Sequence, residues 1–313
     1  MAVVVISGGT GLIGTKLTSH LIAEGHEVII LSRKTQQPAS HRLVSYAHWD
    51  VKGRVIESGA LLRADHIIHL AGAGIMDRKW TRDYRRQIVE SRTRSASLII
   101  DVLKNHPHHV RTFVAASAIG WYGPDTDPLI RKEGFVETDP AGSDFSAEVC
   151  MQWENASDEA KSLGIRLVKL RTGIVLSRDG GAFREMVAPL KFGVAGIFGD
   201  GSQVVSWIHI DDLCRLYQEA LFNLDLHGVF NAVAPVPVSN RSLMMTAAVK
   251  LRNRFFIPVH VPRFFIRMLL GKRSVEILKS VTVSDRKIKK FGFTFLYPTL
   301  ESAVADLANK PVS

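Results

Sequence analysis

The chain alternates between two rhythms of apolar and polar positions, and the first switch comes within its opening fourteen residues. Val3 to Ile6 is an unbroken β-branched run. Such continuity predicts a strand buried on both faces. Ser7-Gly8-Gly9-Thr10-Gly11 follows, and then Ile13, Leu17 and Leu21 fall four apart, with Gly25 behind them. That spacing predicts a helix with a glycine stop. The alternation continues with strands over 27–32, 43–48 (a weak one), 66–70, 110–116 and 165–171. Helices are expected over 80–103 and along the stripe Phe145, Val149, Trp153, Ala156 and Ala160. Six strands interleaved with helices predict an α/β protein built on a doubly wound, parallel sheet. After Leu176 the rhythm loosens. An extended run over 204–210 leads into a helix that Asp211 or Asp212 should cap. Helical segments near 239–251 and 262–270 follow, and a Tyr297-Pro298-Thr299 turn opens a final helix. The expected division is a sheet domain over 1–176 and a smaller, α-rich substrate portion over 177–313, partly interleaved with it.

The glycine-rich turn changes this picture from architecture to chemistry. It satisfies Gly-x-Gly-x-x-Gly through Gly9, Gly11 and Gly14, and Gly-x-x-Gly-x-x-Gly through Gly8, Gly11 and Gly14. A strand before it and a helix behind it are the context of a Rossmann dinucleotide site. One glycine allows the sharp turn, one lets a pyrophosphate approach the backbone, and one lets the helix lie against the strand. The helix N-terminus then offers N–H groups to phosphate. An NAD site would carry an acid at the end of the second strand, where this chain has Ser32-Arg33-Lys34. A cation there suits the 2′-phosphate of NADP. Asp50 ends the third strand, where it either accepts from the adenine amino group or forms a turn. The small residues Ala71-Gly72-Ala73-Gly74 after the fourth strand would let a cofactor pass close to the backbone. Ser117 ends the fifth strand, where ligands bind in open α/β sheets. The turn-rich segment 124–142 suits a lid or substrate rim.

Bulk properties exclude several classes. A 46% apolar and 22% charged composition is that of a globular protein. No apolar run approaches the ~20 residues of a membrane span. The opening strand runs directly into the glycine turn and does not read as a signal peptide. Cys150 and Cys214 fall in helices, with no disulfide or metal spacing, and fit a reducing cytoplasm. His66 and His69 should face opposite sides of their strand, away from any shared metal. The formal charge of +10 is concentrated in 241–291, where 13 Lys and Arg face 2 Asp and Glu. This stretch includes Arg252, Arg254, Arg263, Arg267, Lys272, Arg273, Lys287, Lys289 and Lys290. Apolar residues from Phe264 to Leu270 interleave with these charges, which predicts a packed helix with a solvated basic face. No nucleic-acid motif accompanies it, so neither nucleic acid nor membrane is expected as a partner. A small-molecule substrate is expected, and a homodimer is open to the chain.

In order and spacing, SGGTGLIG, SRK, LAG, SAIGWYG, EVCMQWE, RTGIVL, SWIHIDD and FNAVAP resemble the extended short-chain dehydrogenase/reductase superfamily. Its nucleoside-diphosphate-sugar epimerase group, and within it an epimerase-like NADP(H)-binding subfamily, is the nearer likeness. FGFTFLYPTLESA resembles the small domain that ends those chains. The resemblance implies that Gly8, Gly11, Leu12 and Ile13 hold the pyrophosphate and that Ser32 and Arg33 hold the 2′-phosphate. It further places Ala71 and Gly72 at the nicotinamide-side ribose, and Thr172 and Gly173 by the nicotinamide.

Two departures stand out. The superfamily's Tyr-x-x-x-Lys pair moves the proton and holds the ribose. If Glu154 aligns with the acid that often follows that pair, the two places fall on Ser146 and Cys150. Ser117 keeps the strand-tip hydroxyl and is the one catalytic candidate. The Arg that binds a nucleotide diphosphate three residues before Ile208-His209 is Val205 here, with Gln203 or the basic residues as substitutes. His209 reads as a buried residue orienting the following helix cap, or as a general acid or base. Two readings of function follow. One is an NADP(H)-dependent oxidoreductase or epimerase acting on a small polar, sugar-like substrate. The other is a protein that senses NADP(H) without turnover.

Overall fold

A computed structural model describes residues 1–34, 41–252 and 255–309. Arg254, counted above in the basic stretch, lies outside these.

The strands, in chain order, begin with β1 (Val3–Ser7), β2 (Glu27–Ser32), β3 (Val44–Asp50), β4 (Val55–Ile56), β5 (His66–His69), β6 (Thr112–Ala118) and β7 (Arg166–Thr172). They continue with β8 (Ile174–Leu176), β9 (Val194–Phe198), β10 (Val204–Val205), β11 (Trp207–His209), β12 (Gly228–Ala232), β13 (Val238–Ser239) and β14 (Ile257–Val261). The helices begin with α1 (Leu12–Ala23), α2 (Ser58–Leu62), α3 (Arg82–Asn105), α4 (Pro128–Glu133), α5 (Phe145–Asp158) and α6 (Gly181–Val187). They end with α7 (Ile210–Phe222), α8 (Asn240–Ala247), α9 (Arg263–Leu270), α10 (Ser274–Leu278), α11 (Arg286–Lys290) and α12 (Leu300–Asn309).

Eight strands form one sheet in the order β12-β7-β6-β5-β1-β2-β3-β4. The pairs β2–β3, β1–β2, β1–β5 and β5–β6 are all parallel, and β4 returns antiparallel on β3. The chain winds outward from β1 to β3 and then crosses back to β5, the doubly wound order expected of this α/β pattern. That reversal leaves the C-terminal ends of β1, β2, β5 and β6 side by side.

The chain divides into two compact units. The first comprises Met1–Ala118, Glu148–Arg171 and Cys214–Phe230. Its core packs Val5, Ile29, Leu31, Ile67 and Phe113 of the strands against Leu98, Ile99 and Leu103 of α3. Central strands buried on both faces explain why β1 is β-branched from Val3 to Ile6 and does not alternate. The second unit comprises Ile119–Ala147, Thr172–Leu213 and the chain from Asn231 onward. It is built around Phe183, Trp207, Leu243 and the inward face of α12 (Leu300, Ala303, Val304, Leu307).

Two segments differ from expectation. The turn-rich stretch 124–142 contains α4 and is pinned within its unit. Asp125 accepts from the backbone and hydroxyl of Thr282, Phe135 bridges to Val283, and Glu137 accepts from the Asn231 N–H. Proline at the first turn and Asp127 as N-cap start α4, two local signals that outweigh the loop composition around them. The second is α9. It is helical as its spacing predicts, yet of its apolar residues only Ile266 is fully buried.

Candidate cofactor site and the adjoining buried charges

The four glycines of the opening turn have distinct physical reasons. Gly8 takes φ +75°, and a Cβ there would fall 2.9 Å from the Ala71 nitrogen, so β1 and the exit of β5 meet backbone to backbone. A Cβ on Gly9 would strike the Ile30 side chain. On Gly14 it would fall 2.5 Å from the Gly8 oxygen and the Gly9 Cα, which shows why α1 can lie so close on its strand. Gly11 differs: a Cβ would meet only the Gly8 oxygen, at 3.3 Å. Its exposed face is open. Gly11 is also the N-cap of α1, and no side chain caps the helix. Among the described residues, the first-turn N–H groups around Leu12 and Ile13 therefore have no side-chain acceptor, and they stand at the positive end of a twelve-residue helix.

Ser32 ends β2, next to β1, and its Oγ accepts from the Lys34 N–H at 3.1 Å. Arg33 is exposed beside it. Asp50 ends β3, and its Oδ1 accepts from the Lys52 N–H at 3.0 Å, the turn-forming alternative. Ala71 and Gly72 open the segment after β5, which α3 holds in place. Ser91 accepts from the Ala73 N–H, Arg92 donates to the Ala73 oxygen, and Tyr84 donates to the Gly74 oxygen. Gly72 is glycine because the Arg92 guanidinium occupies the space of its side chain, 2.9 Å from where a Cβ would stand. Arg92 in turn lies over the Trp153 ring at 4.7 Å. Beneath this segment His69 is fully buried between Ser7 (2.7 Å) and Ser95 (3.2 Å), and burial lowers its pKa to about 4. His66, on the same strand, packs instead on the Phe222 ring, so the two histidines have separate partners.

Ser117 lies at the end of β6 but turns inward. Its Oγ donates to Glu154 Oε1 of α5 at 2.7 Å. Arg171 of β7 donates to the same carboxylate through Nε (2.8 Å) and Nη2 (3.1 Å). Lys169 lies 4.0 Å from Glu154 and 2.8 Å from Asp158. Burial alone raises the Asp158 carboxyl, but hydrogen bonds from Lys161 and Lys169 outweigh it and hold the pKa below the ordinary value. Ser117, Glu154, Lys169 and Arg171 are all buried. The Glu154 carboxyl, faced by two cations, fixes the hydroxyl it accepts from. Ser117 thus has its single hydrogen engaged, and its oxygen lone pairs remain to accept. The signal for this cluster was in the sequence. Two cations sit two apart in an otherwise apolar strand, Leu167-Val168-Lys169-Leu170-Arg171, and they require buried acids on one face.

Thr172 closes β7. Gly173 belongs to the packing of the second unit, where its N–H donates to the Ala232 oxygen and a Cβ would fall 2.6 Å from the Ser206 oxygen. Ser146 and Cys150, onto which the aligned Tyr and Lys places were expected to fall, are one turn apart on α5 and both buried. In the second unit Gln203 spends its amide on the Phe198 and Ile277 carbonyls. His209 is fully buried, and its Nδ1 accepts from the Asp211 N–H at 3.2 Å. Helix α7 begins at Ile210, so Asp211 and Asp212 lie inside its first turn and are not its caps. His209 Nε2 faces Asp306 at 3.3 Å, and Asp212 accepts from the Leu296 and Tyr297 N–H groups. The ring thus orients the start of the helix, as the sequence suggested, and the acids clasp the closing segment. His209, Asp211 and Asp306 place ligand-type atoms within 4.8 Å of one another. The Nδ1 of that ring is already engaged with the Asp211 N–H.

Residues 4–232 match the NAD dependent epimerase/dehydratase family. The chain belongs to that family. Residues 261–307 of this epimerase-family protein match a domain of unknown function. An epimerase family protein of Staphylococcus saprophyticus is 34% identical over 306 residues, covering 97% of this chain and 98% of its own. A chloroplastic epimerase family protein of Arabidopsis thaliana is 32% identical, covering 96% of this chain and 84% of its own. Among solved structures, the human epimerase family protein SDR39U1, crystallised with NADPH, superposes with a TM-score of 0.84 at 29% identity. That match covers 99% of this chain and 100% of the human one. The UDP-glucose 4-epimerase of Thermus thermophilus, with a TM-score of 0.75 and 20% identity over 99% of this chain and 100% of its own, shares the fold. The expected resemblance and α/β class both hold: this is the fold of NAD(P)-binding epimerases. No described helix is long and apolar enough to cross a membrane.

Proposed function

We propose that this protein binds NADP(H) at the β1–α1 turn and exchanges hydride with a small polar, sugar-like substrate, as an oxidoreductase or epimerase. The observation that carries the proposal is the uncapped N-terminus of α1 with an open Gly11 beside it. Such a terminus binds phosphate through backbone N–H groups and the helix dipole. Gly8 and Gly14 let the turn come close enough to receive a pyrophosphate, with Leu12 and Ile13 supplying N–H groups. Ser32 and exposed Arg33 favour a 2′-phosphate, because Arg is a strong phosphate partner and no acid stands in its place. Ala71 and Gly72 are assigned to the ribose side, and Thr172 and Gly173 to the nicotinamide side. The human relative crystallised with NADPH supports the same choice. Asp50 uses Oδ1 for its own turn, and Oδ2 is the oxygen assigned to accept from the adenine amino group.

When bound, the cofactor supplies hydride. The Ser117 hydroxyl at the tip of β6, oriented by Glu154, is assigned to polarise the reacting oxygen by turning its hydrogen from Glu154 to the substrate, with another acid or a water relaying the proton. A panel of aldehydes, ketones and keto-sugars, mixed with enzyme and NADPH in stopped flow, tests this. Loss of nicotinamide absorbance with at least one class, slowed in Ser117→Ala, is expected. Silence across the panel with saturating cofactor would sink the oxidoreductase reading, and the absence of any stereochemical inversion of the same sugars over hours with NADP⁺ would sink the epimerase reading.

One observation favours a second reading, NADP(H) sensing without turnover. Ser117 gives its hydrogen to Glu154, and the chain has no Tyr four residues before a Lys. That reading requires unequal affinities for NADP⁺ and NADPH, since a ligand pair bound equally shifts no equilibrium. Equal affinities in calorimetry remove it.

A further inference from the structure

Helix α9 leaves large apolar side chains in water. Phe264 is 70% exposed, Phe265 49%, Met268 61% and Leu269 67%. Only Ile266 is fully buried, so the helix is open around most of its circumference. The Phe264 and Phe265 rings meet edge to face at 5.8 Å. The strand leading into it, β14, adds exposed Ile257 and Val259, and Phe255 precedes that strand. Exposed apolar patches of this kind on a folded chain mark contact surfaces.

The charges around the patch are mainly basic, and the exposed acid among them, Asp200, is paired with Arg263 at 3.3 Å. Arg263, Arg267, Lys272 and Arg273 lie within or beside α9. The next acid along the chain, Glu276, is tied to Lys279 at 3.0 Å. We propose that α9 with β14 is a docking surface for an anionic lipid bilayer. Bulky apolar side chains beside Lys and Arg are the composition of an interfacial helix, in which the apolar groups enter the headgroup boundary and the cations meet acidic headgroups. Eight residues rise only about 12 Å, so the helix lies at the interface and does not span. A second copy of this chain fits less well, because a two-fold contact would bring the same cations together. A groove on an acidic protein would have to enclose a helix exposed on nearly all sides, whereas a fluid interface accommodates it without complementary shape.

Sedimentation of the full chain with phosphatidylcholine vesicles, with and without phosphatidylglycerol, tests the proposal. Binding is expected only with phosphatidylglycerol present, and it should weaken as salt is raised. The exposed-site variant F264S/L269S should lower the partition at least about tenfold. The charge variant R267E/K272E should lower it about a thousandfold, by removing and reversing contributions of two cations. Both variants should keep the wild-type thermal melt and NADPH affinity, since the side chains replaced are exposed. Three results overturn the proposal: no binding to phosphatidylglycerol vesicles at low salt, binding untouched by both variants, or a wild-type dimer in sedimentation velocity that F264S/L269S dissolves.

Discussion

Replacing Glu154 by Gln keeps the shape of the side chain and removes its charge, which isolates what the buried cluster contributes. In the native protein the carboxylate accepts from Ser117 at 2.7 Å and from Arg171 at 2.8 and 3.1 Å. Glu154 and Arg171 are only 3% and 2% exposed, so water cannot take over these bonds. Gln retains one acceptor oxygen and turns an amide NH₂ toward a guanidinium that needs an acceptor. Hydrogen bonds to charged groups are each worth about 1.5–3 kcal/mol, and removing one partner of a buried ion pair costs about 3–5 kcal/mol. Lys169 keeps Asp158 at 2.8 Å and limits the damage to one end of the cluster. The expected loss for Glu154→Gln is therefore about 3–5 kcal/mol in urea unfolding at neutral pH. The double variant Glu154→Gln/Arg171→Met should recover part of that loss, because it removes the facing cation as well. A single-variant loss below about 1 kcal/mol, or strictly additive single effects, would refute the reasoning.

Other outcomes follow from the same geometry. Gly14→Ala forces a Cβ to within 2.5 Å of turn backbone, and should cost about 1–3 kcal/mol of stability and at least tenfold in NADPH affinity. Gly59→Ala is the control: a Cβ there meets nothing within 4 Å, so the change should be neutral or stabilising by up to about 1 kcal/mol in a thermal melt. Arg33→Glu should weaken NADP more than NAD by roughly 10- to 150-fold, the worth of one charge-assisted phosphate contact; an unchanged ratio in titration calorimetry shows that Arg33 does not face the phosphate. His69 supplies a pH dependence. Its folded pKa of about 4 lies below the unfolded value of 6.5, so the unfolded chain binds more protons between these values and stability falls as pH drops through that window. Between pH 7.5 and 5 the loss from this group is about 2 kcal/mol, and His69→Gln should flatten that part of a urea-midpoint profile.

The sheet and the turn were legible because they depend on local signals. The β-branched run of β1 and the four-residue spacing of α1 register burial on two faces and on one, and glycine is what a crowded turn demands. The buried charges were harder. Ser117 and Glu154 are 37 residues apart and Glu154 and Arg171 are 17 apart. Only the folded sheet brings them together, and the placement of Ser117 at a strand tip does not say which way its hydroxyl turns. Alternation within β7 carried part of the answer, since Lys169 and Arg171 share a face. Helix α9 shows the opposite failure. Its interleaved apolar and basic residues have the pattern of a packed helix, but pattern alone does not say whether another element covers the apolar side. Around 124–142 the many turn residues pointed to an open loop, whereas Asp125, Phe135 and Glu137 fasten it through partners far along the chain.

Titration calorimetry of the full chain with NADPH and NADH tests the central claim most directly. The account predicts one NADPH bound per chain, NADH at least about tenfold weaker, and loss of both heats in Gly14→Ala. No binding of NADPH by the wild-type protein, or equal affinity for the two nucleotides, would contradict it.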